Sequence, residues 1–205
     1  MEQVLKTKKQ PFILTDFLRV RFKGVLDPLA AFFNRLGLMP NTMTILGLVG
    51  NTIGAFFLAQ GQMTLGGLII LAMGPVDALD GSMARLRGLP TQFGGFVDSV
   101  TDRYSELVIF GGLMVYYLRQ NDWPSVLGVY LAACGSVLVS YIRSRSQSAG
   151  YETKVGILTR FERFIVLAPS LIFNIPSIGV WIIAVLGNIT ALQRILDVRR
   201  QAYRQ

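Results

Sequence analysis

Histidine is absent from the 205-residue chain, and cysteine occurs once, at Cys134. The first absence excludes His-rich zinc sites, Ser-His and Cys-His nucleophile systems and transfer through phosphohistidine. The second excludes an intramolecular disulfide and thiolate metal clusters. Acid–base chemistry is left to carboxylates, lysine, tyrosine or water. Charge is scarce too: 16% of residues are Asp, Glu, Lys or Arg, against 52% apolar. Soluble domains carry roughly a quarter charged residues, so this balance points to a membrane protein. The amino end also lacks the continuous apolar core and small-residue cleavage site of a secretory signal, because Lys6, Lys8 and Lys9 run into Phe12-Ile13-Leu14 and then Thr15-Asp16. No cleavable signal peptide is expected.

What the chain has is long apolar runs. About 18 to 25 such residues cross ~30 Å of hydrocarbon, and six runs of that order are found at 41–59, 64–88, 95–118, 124–142, 157–173 and 176–196. Short polar or Pro/Gly breaks separate them, among them Gln60-Gly61-Gln62 and Leu89-Pro90-Thr91-Gln92. The expected fold is all-α, a polytopic membrane protein with six transmembrane helices. Its expected parts are an N-terminal cytoplasmic or interfacial segment (1–40), the six-helix domain (41–198) and a cytoplasmic tail (199–205).

In the first part, Phe12, Leu14, Phe17, Leu18, Val20, Phe22, Val25 and Leu26 interleave with Arg19, Arg21 and Lys23. That pattern predicts an interfacial amphipathic helix against anionic lipid, although a basic retention signal accounts for the same residues. Asp27-Pro28 is expected to break the segment, with a second short helix over 29–38 leading to Pro40.

The net charge of +8 fits nucleic acid, anionic lipid or cytoplasmic loops, and its distribution decides. Seven Lys and Arg precede the first run, Arg85 and Arg87 end the second, five lie from Arg143 to Arg163, and four follow from Arg194. Only Arg119 falls on the other side, with Arg103 inside the third run. Both termini are therefore expected in the cytoplasm, and no nucleic acid partner is expected.

Four aspartates lie in two adjacent runs: Asp77 and Asp80 at i, i+3, and Asp98 and Asp102 at i, i+4. Each pair shares one helix face. Asp80 and Asp102 are each eleven residues from Thr91, at matching depth if both arms are regular. A charge at membrane depth costs several kcal/mol and persists mainly where it works or pairs. Four converging carboxylates need protons or cations to neutralise them, and hard oxygen ligands suit Mg²⁺, Mn²⁺ or Ca²⁺. Gly81 and Gly94-Gly95 permit close approach by a helix or ligand, and Arg85 lies one turn beyond Gly81.

The pattern Asp77-x2-Asp80-Gly81-x2-Ala84-Arg85-x8-Gly94-x3-Asp98-x3-Asp102 resembles, position for position, the signature of the CDP-alcohol phosphatidyltransferase family. Met39-Pro40-Asn41 is similar to that family's entry to its first span. The resemblance implies transfer of a phosphatidyl group from CDP-diacylglycerol to an alcohol, with release of CMP, at a site opening to the cytoplasmic face. It implies two Mg²⁺ or Mn²⁺ ions on Asp77, Asp80, Asp98 and Asp102, with Asp102 as ligand, as general base for the acceptor hydroxyl, or as both. It further places the CDP moiety at Gly81, Ala84, Arg85 and Gly94, and implies a homodimer. Glu106, one turn past Asp102, is expected to support Asp102 or to pair with Arg103.

A second cluster, Arg143, Arg145, Lys154, Arg160 and Arg163, is the candidate acceptor site, since several cations around one pocket suit an acceptor bearing its own phosphate. The positive-inside rule alone also calls for cations there. The cluster is similar to the family branch with phosphorylated acceptors, and Thr159 and Phe161 depart from it. Inositol phosphate is the first expectation and glycerol 3-phosphate the alternative. Two other classes compete. A cation or proton transporter would use the same carboxylates, but all four sit in one hairpin rather than in inverted halves. A helix-packing scaffold could use Gly50-x3-Gly54 but has no use for buried carboxylates.

Overall fold

The computed structural model describes residues 14–88, 91–153 and 155–204. Among these residues seven helices follow one another: α1 (Leu14–Arg35), α2 (Pro40–Ala59), α3 (Met63–Leu86), α4 (Gln92–Arg119), α5 (Trp123–Ser148), α6 (Arg160–Ile172) and α7 (Pro176–Ala202). Local chemistry sets their ends. Proline opens α2, α5 and α7, where a missing N–H costs nothing. The Thr91 side chain caps α4 by accepting from Gly94 N at 2.9 Å, and the Asp122 carboxylate caps α5 by accepting from Ser125 N at 3.2 Å.

Helix α2 packs on both α3 and α4, α5 packs on α7, and α6 packs on α3 and α7. The α2–α4 crossing is tight enough that a Cβ on Gly112 would run into the carbonyl of Ala55. One apolar core joins six helices through Leu58, Ile70, Leu113, Val129, Leu171 and Ile183, all fully buried. Outside it, large apolar side chains face outward, such as Ile53 and Phe56 on α2 and Val185 and Leu192 on α7. In water such a surface would associate; against lipid it is the expected exterior. The chain is an integral membrane protein.

Among the described residues, four helices have both the length and the apolarity to cross a bilayer: α2, α3, α5 and α7. Helix α4 is long enough at 28 residues but carries Asp98, Asp102, Arg103, Glu106 and Arg119. Helix α6 has 13 residues and spans about 20 Å, short of the hydrocarbon thickness. The run expected over 157–173 becomes helical only at Arg160, because the preceding residues are held in extended form. Leu158 N donates to Thr190 Oγ1 at 3.0 Å, and Thr159 takes φ −76° and ψ −179°.

The break expected at Asp27-Pro28 does not occur, and α1 runs through Pro28. Proline in a helix interior forfeits one hydrogen bond, but Ala30, fully buried against the Met43, Leu79 and Met83 cluster, holds the helix on α3. Arg87 reinforces that docking by donating to Asn34 Oδ1 at 2.7 Å and to the carbonyl of Leu38 at 2.5 Å. At the other end, α7 continues without interruption past residue 198 to Ala202, and Gln201 Nε2 donates to the carbonyl of Glu152 at 2.9 Å.

Candidate active site

The two aspartate pairs lie on α3 and α4, and helix α2 packs against both. The structure brings all four carboxylates into one electrostatic unit. Asp77 and Asp98 both act on Asp80, the same two act on Asp102, and Asp77 acts on Asp98. Asp80 and Asp102 are buried, while Asp77 and Asp98 are partly accessible.

Each carboxylate is held differently. Asp80 Oδ2 accepts a 2.6 Å hydrogen bond from Thr44 Oγ1 on α2. Asp77 packs over Gly47 of α2, where an added Cβ would lie 2.7 Å from Asp77 Oδ1. Asp77 and Asp102 share a single cation: Arg160 Nη2 contacts Asp77 Oδ2 and lies 2.6 Å from Asp102 Oδ1. Asp98 feels Arg160 and Arg103, and carries no hydrogen bond among the described residues.

The donor set fits a hard divalent cation. One carboxylate oxygen from α3 and one from α4 approach the same guanidinium nitrogen, which marks where positive charge is stabilised between the two helices. Among the described residues no three carboxylates already converge as a ready-made coordination shell. The guanidinium stands between them.

Around this unit, Arg85 is exposed and folds back along α3, donating to Ser82 Oγ at 2.8 Å and covering Gly81, whose Cβ would meet Arg85 Nη1 at 3.3 Å. Ala84 is partly exposed on the same helix, and Gly94 sits under Thr91 at the start of α4.

The cations of the second cluster divide. Arg160 turns to the carboxylates. Arg163, only 3% exposed, puts Nε and Nη2 on Glu106 Oε1 at 3.1 and 2.6 Å and approaches the carbonyl of Leu158 with Nη1 at 3.4 Å. The partner of Glu106 is therefore Arg163 and not Arg103, which donates to the carbonyl of Ser99 at 2.5 Å and stays 3.8 Å from Asp102. Arg143 and Arg145 are exposed at the end of α5, and Lys154 lies outside the described residues. Arg143 and Arg163 both act electrostatically on Arg194, a buried residue of α7 that donates to the carbonyls of Val139 at 2.6 Å and Val155 at 3.0 Å.

Thr44, Gly47 and Arg194 are residues that inspection of the motif misses. The signal for Thr44 and Gly47 is their spacing of one turn on α2, just after Pro40-Asn41. Nothing local identifies Arg194, which stands in sequence as one more arginine at a helix end.

Fold and site together define a polytopic, all-helical membrane enzyme with a carboxylate-lined centre between facing helices. The family model for CDP-alcohol phosphatidyltransferase matches residues 37–192, and the chain belongs to that family. It is similar to the archaetidylinositol phosphate synthase of Pyrococcus horikoshii, with 36% identity over 187 residues that cover 90% of this chain and 96% of the relative. Two solved structures of Mycobacterium tuberculosis phosphatidylinositol phosphate synthase are similar to it at 31% identity. The one with CDP-DAG bound gives a TM-score of 0.80 over 85% of this chain and 93% of that chain. The one in complex with manganese and citrate gives 0.81 over 84% and 88%.

Proposed function

We propose that the protein transfers a phosphatidyl group from CDP-diacylglycerol to the hydroxyl of a phosphorylated polyol, inositol phosphate in the first place, and releases CMP. The observation that carries this reading is the grouping of Asp77, Asp80, Asp98 and Asp102 on α3 and α4, close enough to act on one another's charge, with Asp77 and Asp102 sharing the guanidinium of Arg160. The names of the relatives, which share an inositol phosphate head group, support the acceptor.

In this reading Asp77, Asp80, Asp98 and Asp102 hold Mg²⁺ or Mn²⁺, two ions in all. When bound, the ions neutralise charge on the diphosphate and make CMP a tolerable leaving group. Asp102 accepts the proton of the acceptor hydroxyl as its oxygen bonds to the phosphatidyl phosphorus and the bridging P–O bond to CMP breaks. Gly81, Ala84 and Gly94 leave room for the CDP moiety, and Arg85 swings from Ser82 to its phosphates. Arg143, Arg145, Lys154 and Arg160 attract the acceptor phosphate. Arg163 contributes by anchoring the start of α6 to Glu106 rather than by direct contact.

The membrane arrangement proposed with this is six spans, with α4 and, together with the non-helical residues that precede it, the short α6 added to the four apolar helices, α1 in the interface, both termini and the site at the cytoplasmic face, and a homodimer as the assembly. The clustering of arginines at the ends of α3, α5 and α7 supports that orientation.

Purified protein with CDP-diacylglycerol and Mg²⁺ or Mn²⁺ is expected to release CMP, and chelation is expected to stop it. Offered inositol phosphate, glycerol 3-phosphate, inositol and serine in parallel, it should make the lipid of the first, identified by mass. Product only from glycerol 3-phosphate would move the acceptor to the alternative, and CMP release without metal would count against the whole reading.

The Thr44 hydrogen bond yields a second expectation. Groups that orient a ligand from behind typically contribute 10- to 100-fold in metal affinity. Thr44→Val is expected to weaken Mn²⁺ binding by about tenfold, and Thr44→Ser to retain it. Equal affinity in all three proteins would show that Asp80 needs no help from α2.

A further inference from the structure

Two arginines at the start of α6 make ion pairs with α4, and they differ in kind. Arg163 is enclosed, with three nitrogens engaged, which is how a structural cation is held. Arg160 is the first residue of its helix, its side chain is 44% exposed, and it touches Asp77 and Asp102 through Nη2 alone. A long side chain at an exposed helix end has other rotamers within reach, with its charged head in water. The carboxylates it bridges are two of those assigned above to the metal, and a guanidinium nitrogen and a cation cannot occupy the same point.

From this we infer that Arg160 is an exchangeable counter-ion. It sits between Asp77 and Asp102 until a divalent cation takes that place, and is then released to receive the acceptor's phosphate. The first half concerns the metal alone; the second rests on the acceptor reading above. Two consequences follow by linkage. Metal affinity is lowered by the fraction of molecules in which Arg160 holds the site. A phosphate that draws Arg160 away removes the metal's competitor, so phosphorylated alcohol and metal each tighten the other's binding.

The test is Mn²⁺ binding to the purified full chain in detergent, followed by the electron paramagnetic resonance signal of free Mn²⁺, with no lipid donor and no turnover. Arg160→Gln is expected to bind Mn²⁺ on the order of tenfold more tightly than wild type. Arg160→Lys, which keeps a charge but loses the guanidinium and guards against a folding defect in the first variant, is expected to fall between. Inositol phosphate and glycerol 3-phosphate, added in separate arms, are expected to tighten Mn²⁺ binding to wild type severalfold and to leave Arg160→Gln unchanged.

Unchanged or weaker Mn²⁺ binding in both variants would make Arg160 an ordinary structural cation and overturn the exchange. Tightening in Arg160→Gln with no effect of either alcohol phosphate on wild type would overturn the release to phosphate, while the acceptor itself is judged by product analysis. Absence of Mn²⁺ binding in wild type would overturn the metal assignment and the exchange with it.

Discussion

Asp102→Asn is expected to lower kcat for CMP release by about 10²- to 10⁴-fold, the range a positioned general base contributes. Asparagine preserves size and hydrogen bonding but cannot accept the hydroxyl proton, and no histidine exists anywhere in the chain to replace it. Asp102 is also buried, so solvent base has little access to its position. If Asp102 acts as base, CDP-diacylglycerol binding persists and the deficit resists added metal. If it acts chiefly as ligand, high Mn²⁺ restores much of the rate, as expected for Asp98→Asn. Assays of CMP release against metal concentration separate the two. Turnover in Asp102→Asn within a few-fold of wild type would remove Asp102 from the chemistry.

The second large effect is on stability. Glu106 and Arg163 join α4 to α6 by two hydrogen bonds of 2.6 and 3.1 Å in a site where Arg163 is almost fully enclosed. Taking one partner from a buried pair leaves an uncompensated charge and costs about 3–5 kcal/mol, whereas replacing both with apolar groups is often neutral. Glu106→Ala is therefore expected to lower the unfolding transition in detergent steeply, and the double variant Glu106→Leu with Arg163→Met to recover most of it. The single variant also loosens α6 and with it Arg160, so activity is expected to fall more than the double variant's packing alone explains. A loss below about 1 kcal/mol would place the pair with surface salt bridges.

The four candidate carboxylates stand out in the sequence because their signal is local. Asp77, Asp80, Asp98 and Asp102 lie within 26 residues, and helical periodicity alone sets each pair on one face. What supports them is remote. Thr44 is 36 positions from Asp80, and Arg160 is 83 from Asp77. Glu106 illustrates the limit: Arg103 is three residues away on the same helix and looks like its natural partner, yet the contact goes to Arg163, 57 positions on. Helix boundaries failed where tertiary contacts outweighed local preference, as when burial of Ala30 carried α1 through Pro28 and Thr190 held Leu158 in extended form ahead of α6.

By itself the sequence determined the membrane character, the absence of imidazole and of thiolate metal clusters, and the pairing of four carboxylates on two helix faces. These follow from composition and from spacing within single helices, where geometry is nearly invariant. Only the tertiary structure decided which arginine faces the carboxylates, which one locks α4 to α6, and which residues of α2 stand behind the site. The rotation of one helix against another depends on how whole surfaces interlock, and no short stretch of sequence carries that information.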